Sequence, residues 1–313
     1  MNKSFKNMFK SNHLSIGIFS PIESYSGNIP KMKSQTRLIQ KVEEYGFSAI
    51  WTRDIPLNDP SFGDVGQMYD PFIYLSYLAS CTNKISLAIG SLILPFRHPI
   101  NVAKSINSLN NLSEGRFILG VATGDRPVEY KAHNVDFENR GEIFRESMKY
   151  IDTLVSFEFP TIRNKLGSIT NEDLLPKSKF GKVPILVTGH SQQSIEWISK
   201  NSDGWIYYPQ NSSIQQKRIE NWKDELIKNN KEFKPFIQSL YIDLASEHEL
   251  KPTPIHLGYR LGRNSLIELL KEQQSIGINH IIINLKYCRR EAESVIDELG
   301  KYVLPLFTKQ LGV

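Results

Sequence analysis

The stretch from Ile85 to Gly124, ISLAIGSLILPFRHPINVAKSINSLNNLSEGRFILGVATG, constrains the fold more than any other part of the chain. It reads as a β-branched strand, a loop bounded by Pro95 and Pro99, a helix, and a second strand that begins after Glu114-Gly115-Arg116. Two strands joined through a helix run parallel, because parallel neighbours need a long crossover and a tight hairpin cannot supply one.

The same alternation recurs along the sequence. Leu14 to Phe19 predicts a strand ended by Pro21, and Ile29-Pro30 opens an amphipathic helix with apolar positions at Met32, Leu38, Ile39 and Val42, capped by Gly46. Phe47 to Trp51 predicts the next strand, and Asp70-Pro71 starts a helix through Leu78, proline being tolerated in a first helical turn. After Gly124 come a helix from Arg140 to Val155, strands at Val183–Thr188, Gly204–Tyr208, Phe236–Leu244 and His280–Leu285, and helices at Ile214–Ile227, Asn264–Ile276 and through Val303 and Leu304. About eight strand-helix units in alternation predict a (β/α)8 TIM barrel. Residues 1–313 read as one barrel domain with an N-terminal extension at 1–13 and insertions at about 159–182 and 247–262, after the fourth and seventh strand-helix regions. A doubly wound open sheet is the competing architecture, and no GxGxxG follows the first strand to support it.

The charge balance, 38 Lys and Arg against 33 Asp and Glu, leaves a net +5 scattered singly, without the clustered face that tracks nucleic acid. No window approaches the roughly 20 apolar residues of a membrane helix, and the basic N-terminus lacks the apolar run of a signal peptide. Two cysteines, Cys81 and Cys288, cannot build a disulfide framework; they read as buried small hydrophobes in a reducing, cytoplasmic setting. No HExxH, CxxC or paired histidine ligand motif appears, so no metal site is expected, and no GxSxG elbow supports a hydrolase.

Chemistry in a TIM barrel sits at the C-terminal ends of the strands. Gly189-His190-Ser191 lies between a strand and a helix, where unpaired amides and a glycine can receive a phosphate; Ser191 as a plain helix cap is the other reading, and both stay open. Gly90-Ser91 interrupts a strand, which marks either close approach of another group or packing room. Asp54 ends the second strand, where it can meet a ligand or pair with Arg53, and Gly124 ends the fourth. Glu23, Arg97 and His98 are loop candidates for substrate contacts, although a lone loop histidine is more often structural.

The segment from Ile85 to Gly124 resembles the central part of the bacterial luciferase-like monooxygenases. Ser202-Asp203-Gly204-Trp205 matches their ADGW, and Glu129-Tyr130, Asn134-Val135-Asp136-Phe137 and Arg140-Gly141 match their EY, GVDF and RG run. The resemblance implies a flavin-dependent oxidoreductase that uses dioxygen and reduced FMN, the latter supplied by a separate flavin reductase, on a small organic substrate. A homodimer is among its implications. It places Gly189, His190 and Ser191 on the flavin phosphate, Gly90 and Ser91 beneath the ring through a cis peptide bond, and Asp54 and Gly124 beside it. Arg140 is then an early helix residue reaching back to a carboxylate. His190 stands where relatives carry glycine, and Arg53-Asp54 where many carry Glu-His, so no catalytic acid or base is assigned. A deazaflavin-dependent reductase or dehydrogenase of the same fold, and a non-catalytic flavin-binding protein, are the alternatives.

Overall fold

A computed structural model describes residues 1–308 of the chain. Eight parallel strands form a closed ring: β1 (Ser15–Phe19), β2 (Ala49–Thr52), β3 (Ser86–Ile93), β4 (Phe117–Ala122), β5 (Ile185–Thr188), β6 (Gly204–Tyr207), β7 (Phe236–Leu244) and β8 (His280–Asn284). Each pairs with the next, and β8 returns to β1 with Ile281 opposite Ile16, which closes the expected TIM barrel.

The two-residue period of the strands sorts side chains into two layers. Phe19, Ala49, Trp51, Ala88, Ile118, Leu186, Ile206, Ile237 and Ile282 point inward and form one buried cluster. Their sequence neighbours, such as Ile18, Ile50, Leu87 and Leu119, point outward into a larger apolar shell covered by the helices. Strands buried on both faces explain why β1, β2 and β8 read as continuous apolar runs rather than alternating ones. The N-terminal extension contributes the helix Lys3–Met8, whose Met8 and Phe9 pack onto the inward cluster.

Local chemistry sets the helix starts. Asp70 caps the helix Pro71–Cys81 by accepting from the Phe72 and Ile73 amides, and Pro71 occupies the first turn. The helix expected from Ile29-Pro30 begins instead at Gln35. Met32 and Ser34 adopt left-handed backbone angles, and the Glu23 carboxylate holds the Lys31 and Met32 amides, so Met32 stays in the loop. Arg116, buried in the Gly-Arg-Phe segment, donates to the carbonyls of Ala79, Thr82, Ile85 and Ser113, tying the end of one helix to the start of β4. Cys288 is buried, but Cys81 is half-exposed near a helix end. Arg140 reaches the Phe137 carbonyl at 2.6 Å and stacks on the Phe137 ring, rather than meeting a carboxylate.

Two hairpins occupy the insertions. Ile162–Asn164 pairs antiparallel with Gly167–Ile169. Thr253–Ile255 pairs with Gly258–Leu261, and the second arm continues onto the upper half of β7, Gly258 opposite Tyr241 and Leu261 opposite Leu244.

Candidate active site

The C-terminal mouth of the barrel opens into a cavity of about 330 Å³ lined from all eight strands or the loops that follow them and from the second hairpin. Asp54, Gly90, Ser91, Gly124, Gly189, His190 and Ser191 all lie on its wall. Strand ends far apart in sequence meet there because closure of the ring gathers all the βα loops at one end.

Gly189 has φ +57, a conformation that L side chains avoid, and Ser191 and Gln192 follow with φ 47 and 59. Its amide donates to Ile206 O at 2.8 Å and its carbonyl accepts from Trp205 Nε1 at 2.6 Å, so the turn is pinned to β6. Ser191 Oγ donates to Thr188 O at 2.8 Å and Gln193 N donates to His190 O at 2.8 Å. The amides of His190, Ser191 and Gln192 find no acceptor among the described residues. Backbone N–H groups left unpaired at a cavity wall are donors for an anion.

The Gly90–Ser91 peptide bond is cis. A Cβ on Gly90 would come within 2.9 Å of the Trp51 ring, so the indole packs directly beneath this dipeptide. Trp51 Nε1 in turn donates to His280 Nε2 at 2.9 Å, and His280 Nδ1 lies 2.7 Å from Ser15 Oγ. The indole N–H fixes the tautomer: Nε2 accepts, Nδ1 carries the proton. Burial pushes His280 down to about 3, so it stays neutral. Ser91 Oγ hydrogen-bonds Thr188 Oγ1, linking the floor of the cavity to the Gly189 turn.

Asp54 pairs with Arg97, not with Arg53. Its carboxylate is 2% exposed and accepts from Arg97 Nη2 at 2.8 Å, Arg97 Nε at 3.2 Å and the Ile93 amide at 3.1 Å. Arg97 also meets Asp70 at 2.9 Å, which spends its guanidinium away from the cavity wall. His98 caps the helix Pro99–Leu112 through Nδ1 and contacts Leu166 O through Nε2 at 3.0 Å, on the first hairpin. With Glu23 committed to the Lys31 and Met32 amides, none of these three residues lines the cavity.

A family model for luciferase-like monooxygenases matches residues 14–248. The chain belongs to that family. The alkanal monooxygenase alpha chain of Photorhabdus luminescens is 29% identical over 171 residues, 54% of this chain and 46% of the relative, so the chain spans about half the length of that relative. An uncharacterised protein of Mycobacterium tuberculosis is 28% identical over 190 residues, covering 56% and 67%. Among solved structures, a monooxygenase of Streptomyces bottropensis superposes with TM-score 0.79 at 17% identity, covering 94% of this chain and 99% of that one. An F420-dependent secondary alcohol dehydrogenase superposes with TM-score 0.77 at 14% identity, covering 93% and 98%. Both share the barrel.

The luciferase-like cavity also contains charges that sequence reasoning left out. Arg53 pairs with Asp64, whose other oxygen accepts from Tyr241 Oη at 3.0 Å. Burial pushes the Asp64 carboxyl up, but Arg53 and Tyr241 more than offset it and hold it below the ordinary carboxylate range. Arg126 lies 3.4 Å from Glu129 and stacks 3.9 Å over Phe62, and burial raises the Glu129 carboxyl above its usual value. Arg53 and Asp64 sit on one polar loop and Tyr241 on a distant strand, so no periodicity joins them. Glu129 was visible as part of the family's EY pair, and its burial beside the cavity is what gives it chemical weight.

Proposed function

We propose that this luciferase-like protein is a flavin-dependent monooxygenase that uses reduced FMN and dioxygen to oxidise a small organic substrate. The observation that carries the reading is the convergence of seven residues from four strand ends, Asp54, Gly90, Ser91, Gly124, Gly189, His190 and Ser191, on one cavity. The free amides of His190 to Gln192 suit a phosphate dianion, and the Gly90–Ser91 floor over Trp51 leaves a flat surface without side-chain bulk for a planar ring. Bound reduced flavin would supply the electrons for activating oxygen. The protein's own part is to position: Asp54, locked by Arg97 and the Ile93 amide, fixes one edge of the wall. Glu129, buried and held toward its protonated form, is a group able to hold or give a proton within the cavity. A separate flavin reductase is the expected source of reduced FMN.

A second reading, a deazaflavin-dependent reductase, is favoured by the F420-dependent dehydrogenase that superposes almost as closely as the monooxygenase. Equilibrium titration of the purified protein with FMN and with F420 decides between them. Binding of FMN about tenfold tighter supports the first reading, the reverse order transfers the assignment to the second, and failure of both refutes the class. Substrate-dependent dioxygen uptake above that of free reduced FMN then separates a monooxygenase from a non-catalytic flavin binder.

A further inference from the structure

Arg53 follows the second strand, and the flavin assignment leaves it unused. Arg53 is 9% exposed and lines the cavity. Its guanidinium rests 4.9 Å from the Phe19 ring centroid and donates from Nη1 to Asp64, while Nε is buried without an acceptor among the described residues. Guanidinium presents five donors in one plane, and a buried donor left unpaired is unfavourable unless a bound molecule accepts from it.

The surroundings say what that molecule is. Asp64 is the carboxylate that balances Arg53, and Tyr241 shares it. Lys286, on the far side of the same loop, gives its ammonium to the Gly63 and Asp64 carbonyls and lies over the Tyr25 and Tyr287 rings. Arg53 thus pairs with the Asp64 carboxylate while the Lys286 ammonium, held by backbone carbonyls, adds a second positive charge nearby. Elsewhere on the wall, Arg126 faces Glu129, Arg97 holds the Asp54 carboxylate, and Asp125 is exposed where water screens it. Phe19 and Tyr241 lie beside Arg53 on the cavity wall, and Phe62 lines the wall beneath Arg126.

We propose that Arg53 is the recognition group for an oxyanion, a carboxylate or phenolate, carried by a small aromatic substrate. Asp64 orients the guanidinium, its unpaired N–H groups donate to the substrate oxygen, and the rings of Phe19 and Tyr241 flank its planar body. The inference rests on reading this cavity as the active site and names the class of molecule that enters it.

Calorimetric titration of the purified full chain, with and without FMN, tests it with three probes: benzoate, 4-nitrophenolate and the neutral benzamide. At least one anion binds about tenfold tighter than benzamide, as a charge-assisted hydrogen bond requires, and the better of the two anions identifies the oxygen. Arg53→Gln brings that ratio to about one and Arg53→Lys keeps part of it. A wild-type ratio near one, or a ratio unchanged in Arg53→Gln, overturns the proposal. If Arg53→Gln does not fold, Arg53→Lys decides: a reduced anion preference supports the assignment, and a ratio equal to that of the wild type overturns it. Preserved anion preference in a protein that binds no flavin refutes the cofactor reading alone, whereas flavin binding without anion preference refutes only this inference.

Discussion

His280 makes the protein's stability depend on pH in a way that one substitution removes. The imidazole is fully buried between Ser15 and Trp51 and is pushed down to about 3, whereas in the unfolded chain it titrates near about 6.5. Below that value the unfolded state binds a proton the folded state refuses, so stability falls as pH drops from about 6.5 toward about 3, by about 1.4 kcal/mol per pH unit. Between pH 7.5 and pH 5 this amounts to about 2 kcal/mol. His280→Phe abolishes that slope but leaves Trp51 Nε1 without an acceptor, a pH-independent cost of about 1–3 kcal/mol. The variant is therefore the less stable protein at pH 7.5, and the gap narrows by about 2 kcal/mol at pH 5. Urea unfolding of both proteins at pH 5, 6 and 7.5 measures the difference, in which every other titrating group cancels. Parallel stability curves across that range would refute the reasoning, because they would mean the folded protein accepts the proton on His280.

Three further outcomes are expected. Arg97→Ala strands the nearly inaccessible Asp54 carboxylate with one amide donor; since Arg97 itself is 27% exposed, water recovers part of the loss and the variant unfolds about 2–3 kcal/mol more easily, with the effect absent when Asp54→Asn is already present. Arg116→Lys exchanges a fork that reaches four carbonyls for a single ammonium and costs about 2–4 kcal/mol in urea unfolding, an equal stability arguing against the tie between helix and strand. Gly258→Ala places a Cβ 1.8 Å from the Tyr241 carbonyl, so the second hairpin leaves β7 and residues 247–262 become the first site of limited proteolysis; an unchanged cleavage pattern counts against that contact.

The barrel was legible because its strands are buried on both faces and its helices begin at strong local signals. Asp70-Pro71 marks a helix start to the residue, and Phe236 to Leu244 is a strand over its whole length. The helix expected at Ile29-Pro30 failed for a tertiary reason, since the Glu23 carboxylate captures the amides that a first turn would have used. The glycine and serine candidates found their place on the cavity because strand ends are fixed by the fold. The long side chains did not follow so simply. Asp54 has Arg53 beside it in sequence and both line the cavity, yet Asp54 takes Arg97 from the next unit while Arg53 takes Asp64. Pairings of this kind depend on which loop lies across the barrel mouth, and spacing carries no trace of it.

The attachment of the second hairpin separates two duties within β7. Its lower half closes the ring, Phe236 to Gln238 against β6 and Ile237 to Tyr241 against β8, while Tyr241 to Leu244 holds the hairpin arm on the edge shared with β6. Leu257, at the hairpin's turn, lines the cavity and accepts from the Tyr241 amide. The roof of the cavity therefore behaves as a replaceable module: a hairpin of another length or composition, spliced onto Tyr241 to Leu244, would present a new ceiling to an incoming molecule while every hydrogen bond of barrel closure stays where it is.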